Sequence, residues 1–229
     1  MKKISILYIK FKNDITRREI PLFRGAVVAI LQNNNVLFHN HTDGGFRYAY
    51  PLIQYKRING RAAIVCVEEG TESIGDFFSG IRHLDTFRLG NRSIALESDT
   101  VKADKILIQL WDDVFSYTIR KWLPFNSENY NKFQQIAELK ERIAFMEMIL
   151  TGNILSFAKG VGIRFERELS CSIADMEEKE PMRYKGVTFS SFDMLFRTNV
   201  SLPNYIGLGK GVSHGFGTVV RMNNNEVKI

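Results

Sequence analysis

Residues 49–69 read AYPLIQYKRINGRAAIVCVEE, and the fold follows from this stretch. Two runs rich in β-branched and aromatic residues flank the pair Asn59-Gly60. Asn-Gly between two such runs is the strongest short-range signal of a β-hairpin, because both residues accept the positive φ of a type I′ turn. The sequence therefore predicts two antiparallel strands joined at residues 59–60.

Working outward, the first half of the chain contains two further strands and two helices. Residues 4–11 are β-rich, and Pro21 suits the first turn of a helix over LFRGAVVAILQ, which is too apolar for an exposed helix. Residues 71–81 (TESIGDFFSGI) indicate a short helix, and residues 92–97 can form another strand. The resulting order, β-α-β-β-α-β, is a ferredoxin-like unit.

The second half repeats this order loosely. Residues 103–119 indicate a strand, and Asn126 or Ser127 can cap a long helix that Gly152 can break or bend. Two strands follow around a charged loop that contains residues 177–181. A glycine-rich loop and the strand GTVVRM complete the pattern.

Together these patterns predict an α+β protein with two tandem ferredoxin-like (βαββαβ) domains, residues 1–100 and 101–229, and a C-terminal glycine-rich loop. An apolar fraction of 45% is ample for a buried core. The isolated Cys66 and Cys171 exclude a disulfide framework and a four-cysteine zinc site. We find no signal-peptide pattern and no run of membrane-spanning length, so we expect a cytoplasmic protein with no membrane partner.

The charge balance is moderately basic, with a net charge of +6 and a pI of about 9.3. Such a balance is expected of a protein that meets a polyanion, although many proteins of this charge do not. Six cations near the N-terminus can line a phosphate track, but surface cations are more often simply solvated. These are Lys2, Lys3, Lys10, Lys12, Arg17 and Arg18.

Residues 206–217, IGLGKGVSHGFG, contain five glycines. A dinucleotide-binding fingerprint fails here because Val212 stands at the third glycine position. A P-loop fails because Gly211 stands where a hydroxyl should bind magnesium. Two interpretations remain, a tight packed loop or a bare backbone that lets a phosphate approach its amides.

The pattern Gly207-Leu208-Gly209, five residues including a basic one, then Gly215-Phe216-Gly217 resembles the signature of the CRISPR-associated repeat-RNA-processing endoribonucleases. These belong to the superfamily of repeat-associated RNA-binding proteins with ferredoxin-like folds. Residues 37–56, LFHNHTDGGFRYAYPLIQYK, are similar to the histidine loop and following strand of the subtype-b branch. The resemblance extends over the whole chain.

The resemblance implies cleavage of CRISPR precursor RNA within each repeat, without a metal or other cofactor. The 2′-hydroxyl of a nucleotide would attack the adjacent phosphate and leave a 2′,3′-cyclic phosphate and a 5′-hydroxyl. CRISPR repeat RNA is the implied partner, and a CRISPR effector complex is a candidate further partner. The chain would be a monomer or a homodimer.

Such an attack needs a base, an acid, and positive charge or donors on the phosphorane oxygens. On the resemblance, His41 is the candidate base or acid, since an unperturbed imidazole titrates near neutrality. Tyr48 would orient or protonate, and Lys56 would stabilise phosphate charge if its side chain faces the site. His39 and Tyr50 are reserve candidates, and the sequence does not decide between the two histidines.

The glycine-rich segment would bind RNA rather than perform chemistry. Its amides and Lys210 would take phosphates, and Phe216 would either pack beneath the loop or stack on a base. His214 would contact RNA or simply end the loop. The expected RNA-binding residues are Gly207, Gly209, Lys210, Gly215, Phe216 and Gly217.

Four alternatives from other classes remain. Residues 39–43 fit H-x-H-x-D, the start of a dinuclear zinc motif, but Gly44 stands where that motif requires another histidine. The chain could instead hold repeat RNA without cutting it. A ferredoxin-like small-molecule or regulatory module and a plain structural subunit are the other two.

Overall fold

The computed structural model describes residues 2–30, 50–81 and 86–222, together with the backbone of residues 41–42 and 45–46. The chain divides into two compact units. The first comprises Lys3–Ile106 with Ser213–Gly215, and the second comprises Lys2, Leu107–Val212 and the chain from Phe216 onward. No helix in these ranges combines the length and the apolar composition needed to cross a membrane.

The first unit contains eight strands and two α-helices among its described residues. They are β1 (Lys2–Asp14), α1 (Ile20–Ile30), β2 (His41–Thr42), β3 (Gly45–Phe46), β4 (Ile53–Ile58), β5 (Arg61–Val67), α2 (Gly70–Ile81), β6 (Phe87–Leu89), β7 (Arg92–Ile94) and β8 (Ser98–Ile108). The main sheet has the order β4-β5-β1-β8. This order with two crossover helices is the ferredoxin-like arrangement, so the predicted fold of the first half is confirmed.

The predicted hairpin joins β4 and β5 at Asn59-Gly60. The φ angles of these two residues are 50° and 89°, as a type I′ turn requires. The strands pair antiparallel, with Ile53 opposite Cys66 and Ile58 opposite Arg61. Alternate side chains of β4 consequently face opposite sides of the sheet, which places Tyr55 on one face and Lys56 on the other.

Both helices of the first unit pack on one face of this sheet around an aromatic core. Phe23 of α1 lies 5.7 Å from Phe11 and 5.9 Å from Tyr55 between ring centroids. Helix α1 is less buried than its sequence predicts, because Ile20, Phe23 and Val27 are buried whereas Leu22 is 46% exposed. It is an amphipathic helix rather than a core helix.

Up to residue 222, where the described part of the second unit ends, this unit contains four strands and two α-helices. They are β9 (Leu110–Trp122), α3 (Ser127–Gln135), α4 (Leu139–Gly160), β10 (Cys171–Tyr184), β11 (Val187–Val200) and β12 (Thr218–Arg221). The sheet order β10-β11-β9-β12 repeats that of the first unit. Between β11 and β12, where a second helix would normally lie, the described chain has a single 3-10 turn, Val212–His214, and the glycine-rich segment.

Several predicted boundaries differ from those observed. The run of residues 103–119 is two strands interrupted at Gln109, and its first part completes the first sheet as β8. The sequence gives no sign of this interruption, because ILIQLW contains neither glycine nor proline. Residues 92–97 supply the short strand β7, which pairs with β6 rather than joining the main sheet. The division at Ile106/Leu107 falls after the expected boundary near residue 100.

Two further segments were predicted incorrectly. Residues 177–181 lie within β10, and the turn of that hairpin is Lys185-Gly186, with φ angles of 49° and 80°. Because β10 is an edge strand, it tolerates charged residues and a proline. Asn126 caps the short helix α3, whereas the long helix α4 begins at Leu139 and continues through Gly152.

A β-bulge in β9 shapes the end of the second sheet. Phe192 lies opposite Trp122 and Met194 opposite Ile119, so Arg120 and Lys121 together face the single residue Asp193. Lys121 has a φ of 52°. The carboxylate of Asp193 accepts hydrogen bonds from the Lys121 amide at 2.6 Å and from Arg120 Nη1 at 3.1 Å. This side chain therefore fixes the backbone at the bulge.

Candidate functional site

The glycine-rich segment is held against the end of β9 by its own backbone. The amides of Lys210 and Gly217 donate to the carbonyl oxygens of Leu123 and Lys121, each at 3.1 Å. The Leu208 amide donates to the Gly217 carbonyl at 2.9 Å, and Gly207 bridges Thr218. The amides of Leu208, Lys210 and Gly217 therefore bind protein carbonyls, so these three do not form the expected phosphate-binding nest.

Two glycines of this segment are required by close packing. Gly209 has a φ of +85°, and a Cβ there would lie 2.6 Å from Trp122 Nε1. Gly217 has a φ of +59°, and a Cβ there would overlap the carbonyl oxygen of Leu208. Both positions combine a left-handed backbone with an approach that no side chain permits. Gly209 and Gly217 therefore fit the interpretation of the segment as a tight packed loop, rather than as a bare backbone that binds a phosphate.

Aromatic and basic side chains surround the segment. The Tyr184 ring lies 5.6 Å from that of Phe216 and 6.3 Å from that of Phe189. Lys185 Nζ lies 5.8 Å from the Tyr184 centroid, and Lys210 Nζ lies 5.9 Å from that of Phe189. We call these five residues the hairpin cluster.

The hairpin cluster offers half-buried aromatic rings beside two ammonium groups. Aromatic faces with nearby cations are the combination that holds bases and phosphates of single-stranded nucleic acid. The sequence indicated Lys210 and Phe216, but it gave no sign of the other three members. The hairpin turn at Lys185-Gly186 brings these three residues to the segment. The sequence had predicted the loop of this hairpin at residues 177–181 instead.

The tip of the glycine-rich segment belongs to the first unit. A Cβ at Gly215 would lie 2.9 Å from Ile20 Cδ1 and 3.2 Å from the carbonyl oxygen of Tyr55. The adjacent His214 is half-buried, and its Nδ1 lies 3.1 Å from Ser213 Oγ. His214 therefore lies close to the first turn of α1 and to β4.

The predicted catalytic residues are only partly described. His39 and Tyr48 lie outside the described residues. His41 begins β2, where its backbone pairs with Phe46 of β3. Tyr50 is half-buried, and its hydroxyl accepts a hydrogen bond from Gln54 Nε2 at 2.9 Å.

Lys56 is described in full, and it is 1% exposed. It shares a sheet face with Gln54, two residues earlier on β4, and lies opposite Ala63. Burial lowers the pKa of its ammonium group to about 7, because a charge removed from water is disfavoured. The group thus titrates near neutrality and is shielded from solvent. The expected condition, that its side chain faces the catalytic site, stays a prediction, because most of the histidine loop lies outside the described residues.

Three of the six N-terminal cations are engaged within the protein. Lys10 and Lys12 pair with Asp99 and Glu97 at 3.0 and 2.9 Å, and Lys2 Nζ donates to the Val161 carbonyl at 2.7 Å. These contacts reduce the charge available for a phosphate track. Within the described ranges, no three His, Cys, Asp or Glu side chains converge as metal ligands. The motif of residues 39–43 falls largely outside those ranges, so the zinc alternative remains untested.

The chain is similar to proteins of known structure and to known domain families. Two tandem ferredoxin-like units are the architecture of Cas6-type proteins, and the chain superposes on a crystal structure of Cas6b with a TM-score of 0.86. That structure is 27% identical, and the match covers 96% of this chain and 100% of the other. The Cas6b N-terminal domain model matches residues 2–106, and the Cas6b C-terminal domain model matches residues 109–222. The chain belongs to the Cas6b family.

Two further proteins are similar to this chain. An uncharacterized protein of Methanocaldococcus jannaschii is 36% identical over 104 residues, which are 45% of this chain and 69% of the relative. A structure described as the CRISPR RNA processing endoribonuclease Cas6b is 24% identical, with a TM-score of 0.73 and coverage of 96% and 100%. The two domain models confirm, at the level of the family, the resemblance inferred from residues 37–56 and 206–217.

Replacing Gly217 by Ala should destabilise the protein more than replacing Gly186 by Ala. Both residues have positive φ, which costs a non-glycine residue about 1–2 kcal/mol. A Cβ at Gly186 meets nothing within 4 Å, whereas one at Gly217 meets the Leu208 carbonyl. Urea denaturation of both variants measures the difference. Equal losses would show that the packed loop does not require Gly217.

Replacing Lys56 by Met should change how stability depends on pH. In the wild type, the unfolded chain keeps the lysine proton between about pH 7 and 10.5 while the folded protein loses it. The free energy of unfolding should therefore rise with pH across this window, on the order of 4 kcal/mol from this group. The Met variant should lack that rise, and exposed Lys140→Met should retain it. Parallel pH profiles for wild type and Lys56→Met would contradict a lowered pKa.

Proposed function

We propose that the chain is a metal-independent endoribonuclease that cleaves CRISPR precursor RNA within its repeats. The observation that carries this proposal is the match to both Cas6b domain models along nearly the whole chain. A solved member of that family is described as a CRISPR RNA processing endoribonuclease. The hairpin cluster adds a surface whose chemistry suits RNA.

The reaction we propose uses the RNA as its own nucleophile. A base removes the proton of a 2′-hydroxyl, and the oxygen attacks the adjacent phosphorus. The P–O5′ bond breaks, and an acid returns a proton to the leaving 5′-oxygen. The products are a 2′,3′-cyclic phosphate and a 5′-hydroxyl. Two proton transfers and stabilisation of the phosphorane charge suffice, so no metal is needed.

We assign the proton transfers to the histidine loop. His41 or His39 serves as base or acid, since imidazole exchanges protons near neutral pH. Tyr48 orients the reacting groups or donates a proton. For Lys56 we propose an electrostatic role during charge development. Its pKa of about 7 leaves a protonated fraction near neutral pH, which could stabilise the charge of the reacting phosphate.

We assign RNA binding to side chains rather than to most of the glycine-rich backbone. Lys210 and Lys185 neutralise phosphates, and Tyr184, Phe189 and Phe216 provide ring surfaces for unpaired bases. The bare segment contributes by lying flat against β9, so that no side chain from Gly207, Gly209 or Gly217 obstructs the strand. Gly215 places His214 near β4.

Cleavage is tested with the repeat RNA of the chain's own CRISPR locus in EDTA, comparing wild type with His39→Ala and His41→Ala. We expect one variant to lose about 10²–10⁴-fold in rate while RNA affinity is kept, because a positioned acid or base contributes that much. The 5′ fragment should resist periodate, since its terminal diol is esterified.

A matched RNA carrying 2′-deoxyribose at the cleaved nucleotide controls for the nucleophile and should bind but not be cut. Cleavage that requires a divalent metal and leaves a 5′-phosphate would overturn the proposal in favour of a metal-dependent hydrolase. Binding without cleavage by the wild type would select the non-cleaving RNA-binding protein. Full activity in both histidine variants would place the chemistry elsewhere.

The hairpin cluster is tested by salt-dependent RNA binding. Lys185→Ala and Lys210→Ala should each reduce the slope of log K against log salt by about 0.7, the value for one phosphate contact on a single strand. Tyr184→Ala should weaken binding without changing the slope, because stacking releases no counterions. Lys140→Ala on α4 is the charge-matched control. An unchanged slope in both lysine variants would remove the cluster from the RNA interface.

A further inference from the structure

Helix α4 has two apolar sides. Its inner side contributes Met146, Leu150, Ile154 and Phe157 to the core of the second unit. Its outer side carries Met148, which is 58% exposed, and Leu155, which is 45% exposed. A surface helix normally confines its apolar residues to one stripe, and singly exposed apolar residues need no explanation. Here the two exposed apolar residues, Met148 and Leu155, are aligned on the same side of the helix, and this alignment needs an explanation.

The alignment follows from helix geometry. At 100° per residue, Glu141, Ala144, Met148, Gly152, Leu155 and Lys159 all lie within about 40° of Met148 around the axis. All six are exposed. We call them the outer stripe. An acid stands at its N-terminal end, a base at its C-terminal end five turns away, and apolar or small residues lie between.

Gly152 lies near the middle of the outer stripe, and the described residues give no reason for a glycine there. A Cβ at this position would meet nothing within 4 Å, and its φ is not positive. Glycine is the least favourable helix-interior residue after proline, so neither local packing nor backbone conformation accounts for it. A missing side chain on a helix surface permits another helix to approach closely.

We propose that the outer stripe is the contact surface between two copies of this chain, packed as antiparallel helices about a two-fold axis. An axis midway between residues 148 and 152 places Met148 of one copy against Gly152 of the second copy. The same axis places Glu141 against Lys159 of the second copy, twice. The stripe is thus complementary to itself in shape and in charge, as an isologous interface requires.

The charged ends also fix the crossing angle. Glu141 and Lys159 each lie about 13 Å from the midpoint along the axis. A shallow crossing near 20° displaces the paired ends of the two helices sideways by about 5 Å, which stays within side-chain reach, whereas a crossing near 50° displaces them by about 11 Å. The proposal therefore commits to the shallow arrangement. RNA is a poor occupant, because the stripe offers one acid and one base rather than a row of cations.

A stripe of this length buries less area than a standard interface, so the dimer should be weak, with dissociation in the micromolar range. Sedimentation of the full chain without RNA should show a concentration-dependent species of twice 26.3 kDa. Met148→Lys should raise the dissociation constant by at least about tenfold, because it places two cations at the centre of the interface. Leu139→Lys is the matched control. Leu139 is 66% exposed on the same helix but points to the opposite side, so dimerisation should be unchanged.

A charge exchange tests the register. Glu141→Lys and Lys159→Glu should each weaken dimerisation, because each places like charges together at both ends. The double variant Glu141→Lys/Lys159→Glu should restore it. A chain that remains monomeric across the micromolar range would overturn the proposal. So would a dimer that is insensitive to Met148→Lys, or one that the double charge variant fails to restore. Repeat-RNA cleavage measured on the same variants reports on the proposed function independently.

Discussion

The second unit depends on the bulge that Asp193 closes against Arg120 and Lys121. By inserting one extra residue into β9, the bulge redirects the strand end and presents the carbonyl groups of Lys121 and Leu123. These two carbonyls receive the amides of Gly217 and Lys210, so the strand end holds the glycine-rich segment that lies where a complete ferredoxin-like unit would have its second helix. The missing helix is replaced by backbone hydrogen bonds, which only a nearly bare chain can approach closely enough to form.

This constraint changes the meaning of the glycine-rich segment. A bare backbone near a proposed RNA site suggests phosphate binding by amides, yet three of these amides already bind protein carbonyls. We therefore assign the proposed RNA recognition to side chains, since Phe216 lies beside Tyr184 and Lys210 lies beside Phe189. A backbone held in this way would favour the proposed RNA binding, because side chains that are already ordered lose less conformational entropy when a ligand binds.

Local signals predicted most of the fold. Asn59-Gly60 specifies its turn through backbone sterics, and helical spacing reveals α4, since both effects act within a few residues. The interruption at Gln109, the strand character of residues 177–181 and the burial of Lys56 depend on pairing with distant strands, which the sequence does not display. The histidine site stays a prediction from the family resemblance. The hairpin cluster was not predictable, because Tyr184 meets Phe189 and Phe216 only after the second sheet has formed.

Gly152 is an unfavourable residue for the interior of a helix, and its presence in α4 therefore calls for a reason. The sequence suggested that it breaks or bends the helix, yet α4 continues through it to Gly160. An uninterrupted helix bears the full cost of an interior glycine, about 1 kcal/mol relative to alanine. Gly209 and Gly217 have a reason inside the unit, because a side chain at either position would clash with Trp122 or with Leu208. Gly152 has no such neighbour in the part of the chain that the structure describes, which is why we propose that a second copy explains it, on the same surface where Met148 and Leu155 are exposed.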